Sequence, residues 1–336
     1  MKEIILAIPL LASFLIVLFL IPFWVKKADQ LKLVWKDMNK FKETYVTGSG
    51  GLIIMLAFLI SSLLYISYRV FILGDQNHLI EILSLLLVVC FLAVIGLVDD
   101  LFGWQHGGLS IKTRLILVLI SSIPLMVINA GKHTISLPFF PQLSLGLIYP
   151  LVLIPLAIVG ASTTFNFLAG FNGLEAGQGI LILSALSIVA YLTGNSWLAL
   201  IGLCMVLSLI AFLFYNFAPA SVFPGDVMTY PVGGLIAILA ILGNFEKIAI
   251  FFFIPTIIEV FLKARGKLKK YSFGKPKKDG SLDLKYDKIY GLTHLSIYLL
   301  KKIRIKSTEK NAVYLIWLFQ VVIIILGFIL FREWIF

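Results

Sequence analysis

The chain has 336 residues, of which 60% are hydrophobic and 13% are charged, and its formal net charge is +11. A soluble domain is closer to half apolar and about one-quarter charged, so this composition excludes an ordinary soluble protein and indicates a polytopic membrane protein. The two cysteines, Cys90 and Cys204, both lie in apolar runs, which argues against a disulfide framework or a cysteine-based metal site.

Long apolar runs recur along the whole chain, and a helix needs about 20 such residues to cross the hydrocarbon core of a bilayer. The first run is long enough to span and lacks the small-residue cleavage site of a signal peptide. The predicted spans are 3–25, 51–73, 79–98, 114–130, 145–163, 178–193, 197–215, 228–243, 247–263 and 312–331. The sequence therefore predicts an all-α integral membrane domain over 1–336 with about ten transmembrane helices.

The basic residues are distributed unevenly between the loops. Most of the 28 Lys and Arg residues lie in loops that follow odd-numbered predicted helices. Because basic residues accumulate on the cytoplasmic side, these loops are predicted to be cytoplasmic and both termini to lie outside. The longest of them, 264–311, is a basic cytoplasmic loop. No nucleic-acid-binding module accompanies the charge, so the sequence gives no reason to expect nucleic acid as a partner.

Two features follow the first predicted helix. Apolar and basic residues interleave over 26–47, a pattern that predicts an amphipathic helix lying in the membrane interface. A glycine-rich turn, Thr47-Gly-Ser-Gly-Gly51, then leads into the second helix. Glycine permits close backbone approach, so the turn either admits a nucleotide at Gly51 or simply starts the helix, and both alternatives stay open.

Paired carboxylates lie at the end of the third predicted helix, which we expect to end at Val98-Asp99-Asp100, where the helix dipole disfavours negative charge. Asp99 and Asp100 would be costly to desolvate there unless they share a cation or a proton. They therefore indicate a site that holds Mg²⁺ or removes a proton, unless both simply face water. Lys112 and Arg114 open the fourth helix, where cations either bind phosphate or anchor the interface.

Oxygen-bearing side chains lie in two further loops. Asn166, Asn172 and Glu175 occupy a glycine-rich segment with no Lys or Arg, which a plain helical hairpin with glycine caps would also explain. Asp226 opens the eighth helix, where it could be an ordinary N-cap. Together with the aspartate pair, these residues lie on one predicted face of the membrane, as a Mg²⁺ site made only of oxygen ligands requires.

The last cytoplasmic loop contains the remaining candidates. Its lysines, Lys275 among them, would attract a diphosphate or anionic lipid, although solvation of a positive-inside loop explains most of them. His294, in the same loop, could contact a phosphate group.

Three segments together resemble one known family. They are Gly96-Leu-Val-Asp-Asp100, Asn166-Phe-Leu-Ala-Gly-Phe-Asn-Gly-Leu-Glu-Ala-Gly-Gln178 and Asn216-Phe-Ala-Pro-Ala-Ser-Val-Phe-Pro-Gly-Asp226. They are similar to segments of the polyprenyl-phosphate N-acetylhexosamine-1-phosphate transferases, and most like the UDP-GlcNAc:dolichyl-phosphate GlcNAc-1-phosphotransferases with their archaeal relatives. The resemblance covers about 45 to 305.

The resemblance implies ten membrane helices, a cytoplasmic active site and a bound Mg²⁺, with Mn²⁺ as the alternative. It implies that Asn166 and Asp226 ligate the metal, that Asn172 lines the nucleotide pocket and that Glu175 supports the same loop. The implied substrates are UDP-GlcNAc, or a related UDP-HexNAc, and polyprenyl or dolichyl phosphate.

The resemblance also assigns the cationic and acidic groups near the fourth helix. Asp99 and Asp100 match the paired aspartates of the family, and one of them, Asp99 in our assignment, would assist deprotonation of the lipid phosphate or position it. Arg114 falls where the family has a phosphate-binding lysine, with Lys112 just before it.

The sequence departs from the family where the sugar would be recognised. Dolichol enzymes carry a short Arg/His cluster in the last cytoplasmic loop, and the matching segment here offers Lys275 alone. Thr163 also replaces an asparagine. A secondary transporter with an acidic cation site and a non-enzymatic lipid-binding scaffold are the alternatives from other classes. The archaeal-looking motif favours a prokaryotic cell membrane, and the oligomeric state stays open, a homodimer included.

Overall fold

The computed structural model describes residues 2–132, 134–136 and 142–335, and the described chain is mainly α-helical. The helices are α1 (Lys2–Gln30), α2 (Gly51–Ser67), α3 (Leu79–His106), α4 (Ile111–Ser121), α5 (Ile123–Val127), α6 (Ile154–Phe165), α7 (Leu174–Leu192), α8 (Ser196–Asn216), α9 (Asp226–Gly243), α10 (Glu246–Phe252), α11 (Ile254–Arg265), α12 (Leu292–Lys302), α13 (Glu309–Leu330) and α14 (Arg332–Ile335), with π-helical turns at Tyr68–Leu73 and Tyr149–Leu153.

Three short antiparallel strand pairs lie in the loops between the helices. They are β1 (Val34–Lys36) with β2 (Tyr45–Thr47), β3 (Thr134–Ser136) with β4 (Gln142–Ser144), and β5 (Lys275–Pro276) with β6 (Leu282–Asp283).

Seven helices within the described part of the chain are long and apolar enough to cross a membrane, by length and composition. They are α1, α2 with its π-helical end, α3, α7, α8, α9 and α13. The predicted membrane-protein class is therefore confirmed, and the protein is an integral membrane protein built mainly of α-helices.

The other three predicted spans are helical, but two of them are interrupted and the third is short. The run 114–130 forms α4 and α5, the run 145–163 forms a π-helical turn and α6, and the run 247–263 forms α10 and α11. Proline lies in the first turn of α5 and α11, where its missing N–H and fixed φ favour a new helix start over an unbroken span. The π-helical turn before α6 runs into it as one helix, Tyr149–Phe165, which is shorter than a full span. The number of ten spans stays a prediction.

Helix α9 is the centre of the bundle and packs against α3, α6 and α7. Its close contact with α3 depends on Gly96, because a Cβ at that position would overlap the carbonyl oxygen of Asp226 in the first turn of α9. Small residues let helix backbones approach closely inside membranes. The contact brings the α3 turn that carries Asp99 and Asp100 beside Asp226.

We expect Gly96→Ala to destabilise the protein by about 1–3 kcal/mol, because the added methyl overpacks this contact. The matched control is Gly160→Ala, since a Cβ there meets no atom within 4 Å and alanine favours a helix by about 1 kcal/mol over glycine. Thermal unfolding in detergent measures both variants. Equal midpoints for Gly96→Ala and the wild type would contradict the close contact.

The predicted amphipathic helix over 26–47 is wrong. Helix α1 continues to Gln30, and β1 then pairs with β2 as a hairpin. Both strands consist mainly of β-branched and aromatic residues, which favour extended backbone. Asp37 accepts a hydrogen bond from the backbone N–H of Asn39 at 3.1 Å, an Asx turn that competes with helix formation.

The predicted end of the third helix at Val98-Asp99-Asp100 is also wrong. Helix α3 continues to its cap at Gly107, whose φ of 83° lies in the left-handed region that favours glycine at a helix end. Asp99 and Asp100 are therefore inside the helix, about two turns before its end. These carboxylates are therefore too far from the helix C-terminus to be strongly disfavoured by its dipole.

Candidate active site

A cavity of about 360 Å³ lies between the β1–β2 hairpin, the loop joining α6 to α7 and the segment before α9. It brings together five of the predicted site residues, which are separated by up to 126 positions in the sequence. They are Asp100, Asn166, Asn172, Glu175 and Asp226. Four aromatic side chains form another part of its wall, namely those of Trp35, Phe171, Phe223 and Phe273. The cavity therefore combines a polar corner with flat apolar surfaces.

Asp100 holds the first turn of α9 in place. Its carboxylate accepts hydrogen bonds from the backbone N–H groups of Asp226 at 2.7 Å and Val227 at 3.4 Å, and from the Ser49 hydroxyl at 3.1 Å. The first N–H groups of a helix have no partner within the helix, and its N-terminus favours negative charge. Asp100 thus acts as a cap supplied by another helix, which orients Asp226.

Asp99 lies on the side of Asp226 that faces α4. Its Oδ2 contacts Arg114 Nη2 at 2.7 Å and accepts from the Tyr230 hydroxyl at 3.1 Å, while Oδ1 accepts from the backbone N–H of Leu109 at 2.7 Å. Its carboxyl group also lies within hydrogen-bonding reach of that of Asp226. Arg114 retains partial exposure, so this ion pair can meet a ligand from the surface.

Asn166 and Asp226 are in direct contact. Asn166 ends α6 and donates from Nδ2 to Asp226 Oδ1 at 2.7 Å. A third oxygen, Asn216 Oδ1, is buried at the same cavity without a hydrogen-bond partner, although Nδ2 of that residue donates to Val222 at 2.9 Å. An orphaned buried oxygen beside a carboxylate and an amide suits a hard divalent cation.

The described residues contain no ready-made group of three His, Cys, Asp or Glu side chains for a metal. The residues at the cavity instead fit a cation bound by one carboxylate and by amide oxygens, with substrate oxygens completing its coordination shell. Mg²⁺ is usually bound in this manner, because it keeps several water or phosphate ligands.

Asn172 and Glu175 form the far wall of the cavity, and both are buried. Glu175 accepts from the backbone N–H of Gly170 at 3.1 Å and so closes the loop that carries Asn172. Asn172 donates from its backbone N–H to Glu309 at 2.8 Å and from Nδ2 to Asp37 at 3.0 Å.

Sequence reasoning missed four polar residues that support this wall. They are Asp37, Asn39, Lys40 and Glu309. The first three lie in the segment that we interpreted as an amphipathic helix, whose polar side chains would face solvent. Their partners in other segments are between 131 and 270 positions away, so no local spacing could have found them.

Besides Asp99 and Arg114, which lie next to Asp226, four predicted site residues do not line the cavity. Gly51 begins α2, and its N–H donates to the Pro224 carbonyl at 2.9 Å, so it packs against the loop before Asp226. Lys112 is exposed, two positions from Arg114 and off its helical face. Lys275 is exposed on β5.

His294 is the fourth of these residues and lies behind the cavity wall. It is 1% exposed, and its Nε2 is 3.4 Å from the carbonyl oxygen of Phe273. Burial lowers the pKa of His294, so its ring is neutral at pH 7. It supports Phe273 and does not reach the cavity.

Comparison with known proteins identifies relatives of this chain. Residues 82–244 match the family described as Glycosyl transferase family 4. A Saccharolobus solfataricus protein, provisionally named UDP-N-acetylglucosamine–dolichyl-phosphate N-acetylglucosaminephosphotransferase, is 32% identical over 98% of both chains. A Dictyostelium discoideum protein of the same name is 28% identical over 71% of this chain and 66% of its own length.

A bacterial relative extends the comparison. The phospho-N-acetylmuramoyl-pentapeptide-transferase of Halalkalibacterium halodurans is 33% identical over 80% of this chain and 86% of its own length. Relatives at this identity and coverage share one family and one fold. The chain therefore belongs to glycosyl transferase family 4, together with these phosphotransferases.

Proposed function

We propose that the protein transfers GlcNAc 1-phosphate from UDP-GlcNAc to a polyprenyl or dolichyl phosphate and releases UMP. The observation that carries the proposal is the meeting of Asn166, Asp226 and the Asp99–Arg114 ion pair at one end of α3 and α9, beside a cavity with aromatic walls. The names of the relatives supply the substrate class.

The reaction is a phosphoryl-type transfer. An oxygen of the lipid phosphate attacks the β-phosphorus of UDP-GlcNAc, and a new P–O bond forms. The bond between that phosphorus and the oxygen bridging it to the α-phosphate breaks, and UMP leaves with the bridging oxygen. Catalysis of this kind depends mostly on positioning and on stabilisation of charge.

The residues have distinct roles in this scheme. Arg114 binds and orients the lipid phosphate, and Asp99 accepts a proton from it or holds Arg114 in place. Asn166 and Asp226 would hold Mg²⁺, which when bound would neutralise charge on the diphosphate. The aromatic walls and Asn172 would receive the nucleoside, since flat apolar surfaces suit a base.

An apolar groove offers a binding site for the chain of the lipid substrate. It has a volume of about 400 Å³ and runs between α6, α9, α10 and α11, where its lining includes Gly160, Ile236 and Phe253. The groove reaches Thr164, two residues before Asn166. A prenyl chain in this groove would present its phosphate to the polar corner.

We further propose the orientation indicated by the basic loops. The cavity would face the cytoplasm, where nucleotide sugars are made, and ten helical segments would span a prokaryotic cell membrane. A secondary transporter is the competing class, but transporters place ionisable residues near the bilayer midplane. The acidic groups here lie together toward one end of α3 and at the first residue of α9.

The decisive assay combines purified protein, UDP-GlcNAc, polyprenyl phosphate and Mg²⁺. We expect release of UMP and a lipid carrying GlcNAc diphosphate, with loss of both on addition of EDTA and recovery with excess Mg²⁺. Reactions without the lipid phosphate are the control, and UDP-GalNAc and UDP-glucose test the sugar. No UMP release with any of the UDP-sugars would favour the transporter. UMP release without the lipid phosphate would indicate simple hydrolysis.

A further inference from the structure

A network of polar side chains ties three distant segments together behind the cavity wall. We call it the clasp, and its members are Asp37, Asn39, Lys40, Asn172 and Glu309. They come from the turn after β1, the loop between α6 and α7, and the first residue of α13. The wall of the cavity rests on this network and not on any single helix.

Each hydrogen bond of the clasp fixes part of the wall. Asn39 Nδ2 donates to the Gly170 carbonyl at 2.6 Å, and Asn39 Oδ1 accepts from the backbone N–H of Gly274 at 3.1 Å. Glu309 accepts from the Asn172 backbone, and Asp37 accepts from the Asn172 side chain. Gly170 and Asn172 both line the cavity, so the network determines the position of that surface.

The amide of Asn172 can point only one way in this setting. The Asp37 carboxylate is an acceptor, so the amide must present Nδ2 to it. Asn172 Oδ1 is then the atom left for a ligand, as an acceptor for an N–H or O–H donor. The orientation depends on the position of Asp37.

Lys40 lies between the two carboxylates of the clasp. It pairs with Glu309 Oε2, and its Nζ is 3.4 Å from Asp37 Oδ2, the same oxygen that accepts from Asn172. Burial opposes its charge, but the two carboxylates outweigh that effect and raise the pKa of Lys40 above its usual value. The ammonium group is therefore held as a cation, and Glu309 draws it away from Asp37.

We infer that Lys40 and Glu309 are positioning residues for the nucleotide-binding wall. They hold Asp37 and Asn172 in the arrangement that presents Asn172 Oδ1 to the nucleotide. The inference rests on the proposed function only for the identity of the ligand. Neither residue touches the reacting phosphates, so their removal should affect nucleotide binding more than turnover.

Glu309→Gln tests the inference, because it keeps the shape of the side chain and removes its charge. Lys40 then pairs with Asp37 alone and competes with Asn172 for Oδ2. We expect the KM for UDP-GlcNAc and the Kd for UDP to rise about tenfold, with kcat within about threefold of the wild type. Calorimetric titration with UDP measures binding independently of transfer.

The double variant Lys40→Met, Glu309→Gln separates positioning from a merely structural role. Removing Lys40 as well frees Asp37 to bind Asn172 again, so KM and Kd should return to within about threefold of the wild type. If the two residues only stabilised the fold, the double variant would be at least as impaired as the single one. That result would overturn the inference.

The matched control is Asp279→Asn, which neutralises a carboxylate in the exposed ion pair with Lys306 and should leave KM unchanged. If Glu309→Gln does not fold, Glu309→Asp with the same measurements takes its place, because the shorter carboxylate draws Lys40 less strongly from Asp37, with an expected rise in KM and Kd of about fivefold. An unchanged KM in a folded variant contradicts the clasp alone. Wild-type protein that binds UDP but transfers no sugar contradicts the proposed function alone.

Discussion

Asp226→Asn should lower transferase activity about 1,000-fold and at the same time raise the thermal stability of the metal-free protein. Asparagine keeps the size of the side chain and can still accept from Asn166 Nδ2, so the contact between α6 and α9 persists. The charge that would hold Mg²⁺ against the diphosphate is lost, and removing one group that stabilises transition-state charge costs about 100- to 1,000-fold. The upper figure applies if the residue is also a metal ligand.

The gain in stability has a separate origin. Asp226 contacts both Asp99 and Asp100, so three carboxyl groups lie together with Arg114 as the cation in contact. Neutralising one of them relieves repulsion between like charges in a poorly solvated site. Sites arranged for function often carry such a cost.

Two measurements on the same preparation check this result. UMP release gives the activity, and the unfolding midpoint in EDTA gives the stability. The matched control is Asp287→Asn, since Asp287 is exposed in the loop before α12 and should alter neither quantity. Activity within tenfold of the wild type would contradict the metal assignment, and a lowered midpoint would contradict the account of carboxylate repulsion.

Arg114→Met should reduce activity about 100-fold, the second largest effect that we expect. The guanidinium contacts Asp99 at 2.7 Å and lies 5.9 Å from the centre of the Tyr230 ring, so its position is fixed on two sides. A fixed cation binds phosphate with little reorganisation, and its loss also leaves Asp99 unpaired. Arg114→Lys should recover part of the activity, because charge is restored without the planar fork.

Lys112→Met is the matched control for this cation. Lys112 precedes Arg114 by two positions in α4, is exposed and points away from the face that meets Asp99. We expect activity within about threefold of the wild type, the scale of a screened surface charge. Initial rates at varied polyprenyl phosphate concentration provide the measurement. Equal losses of activity in the two variants would show that the lipid phosphate is attracted by general positive charge and is not bound specifically by Arg114.

Much of the fold and part of the site could be predicted from the sequence. The apolar runs predicted helices in the right places, because burial in a bilayer demands long stretches of apolar side chains. The start of α9 at Asp226 was also correct, and the polar residues at 166 and 226 do meet. These features depend on local composition and on motifs contained within a dozen residues.

Other features depended on contacts between distant segments. The capping of α9 by Asp100 is one example, since it requires Gly96 to bring two helices together. The inward packing of His294 is another, because nothing in its neighbourhood distinguishes a buried ring from one that meets a phosphate. The breaks at α5 and α11 follow from prolines within apolar runs, which hydropathy alone does not register.

The sequence by itself determined that this protein is a helical membrane protein and, through its resemblance to a known family, a transferase, because hydrophobic run length and short motifs are encoded locally. Only the tertiary structure decided that the segment after α1 is a hairpin and that Lys40 pairs with Glu309, which lies 269 positions further along the chain. The physical reason is that a hydrogen bond or an ion pair is set by proximity in space, and proximity arises only when the helices pack.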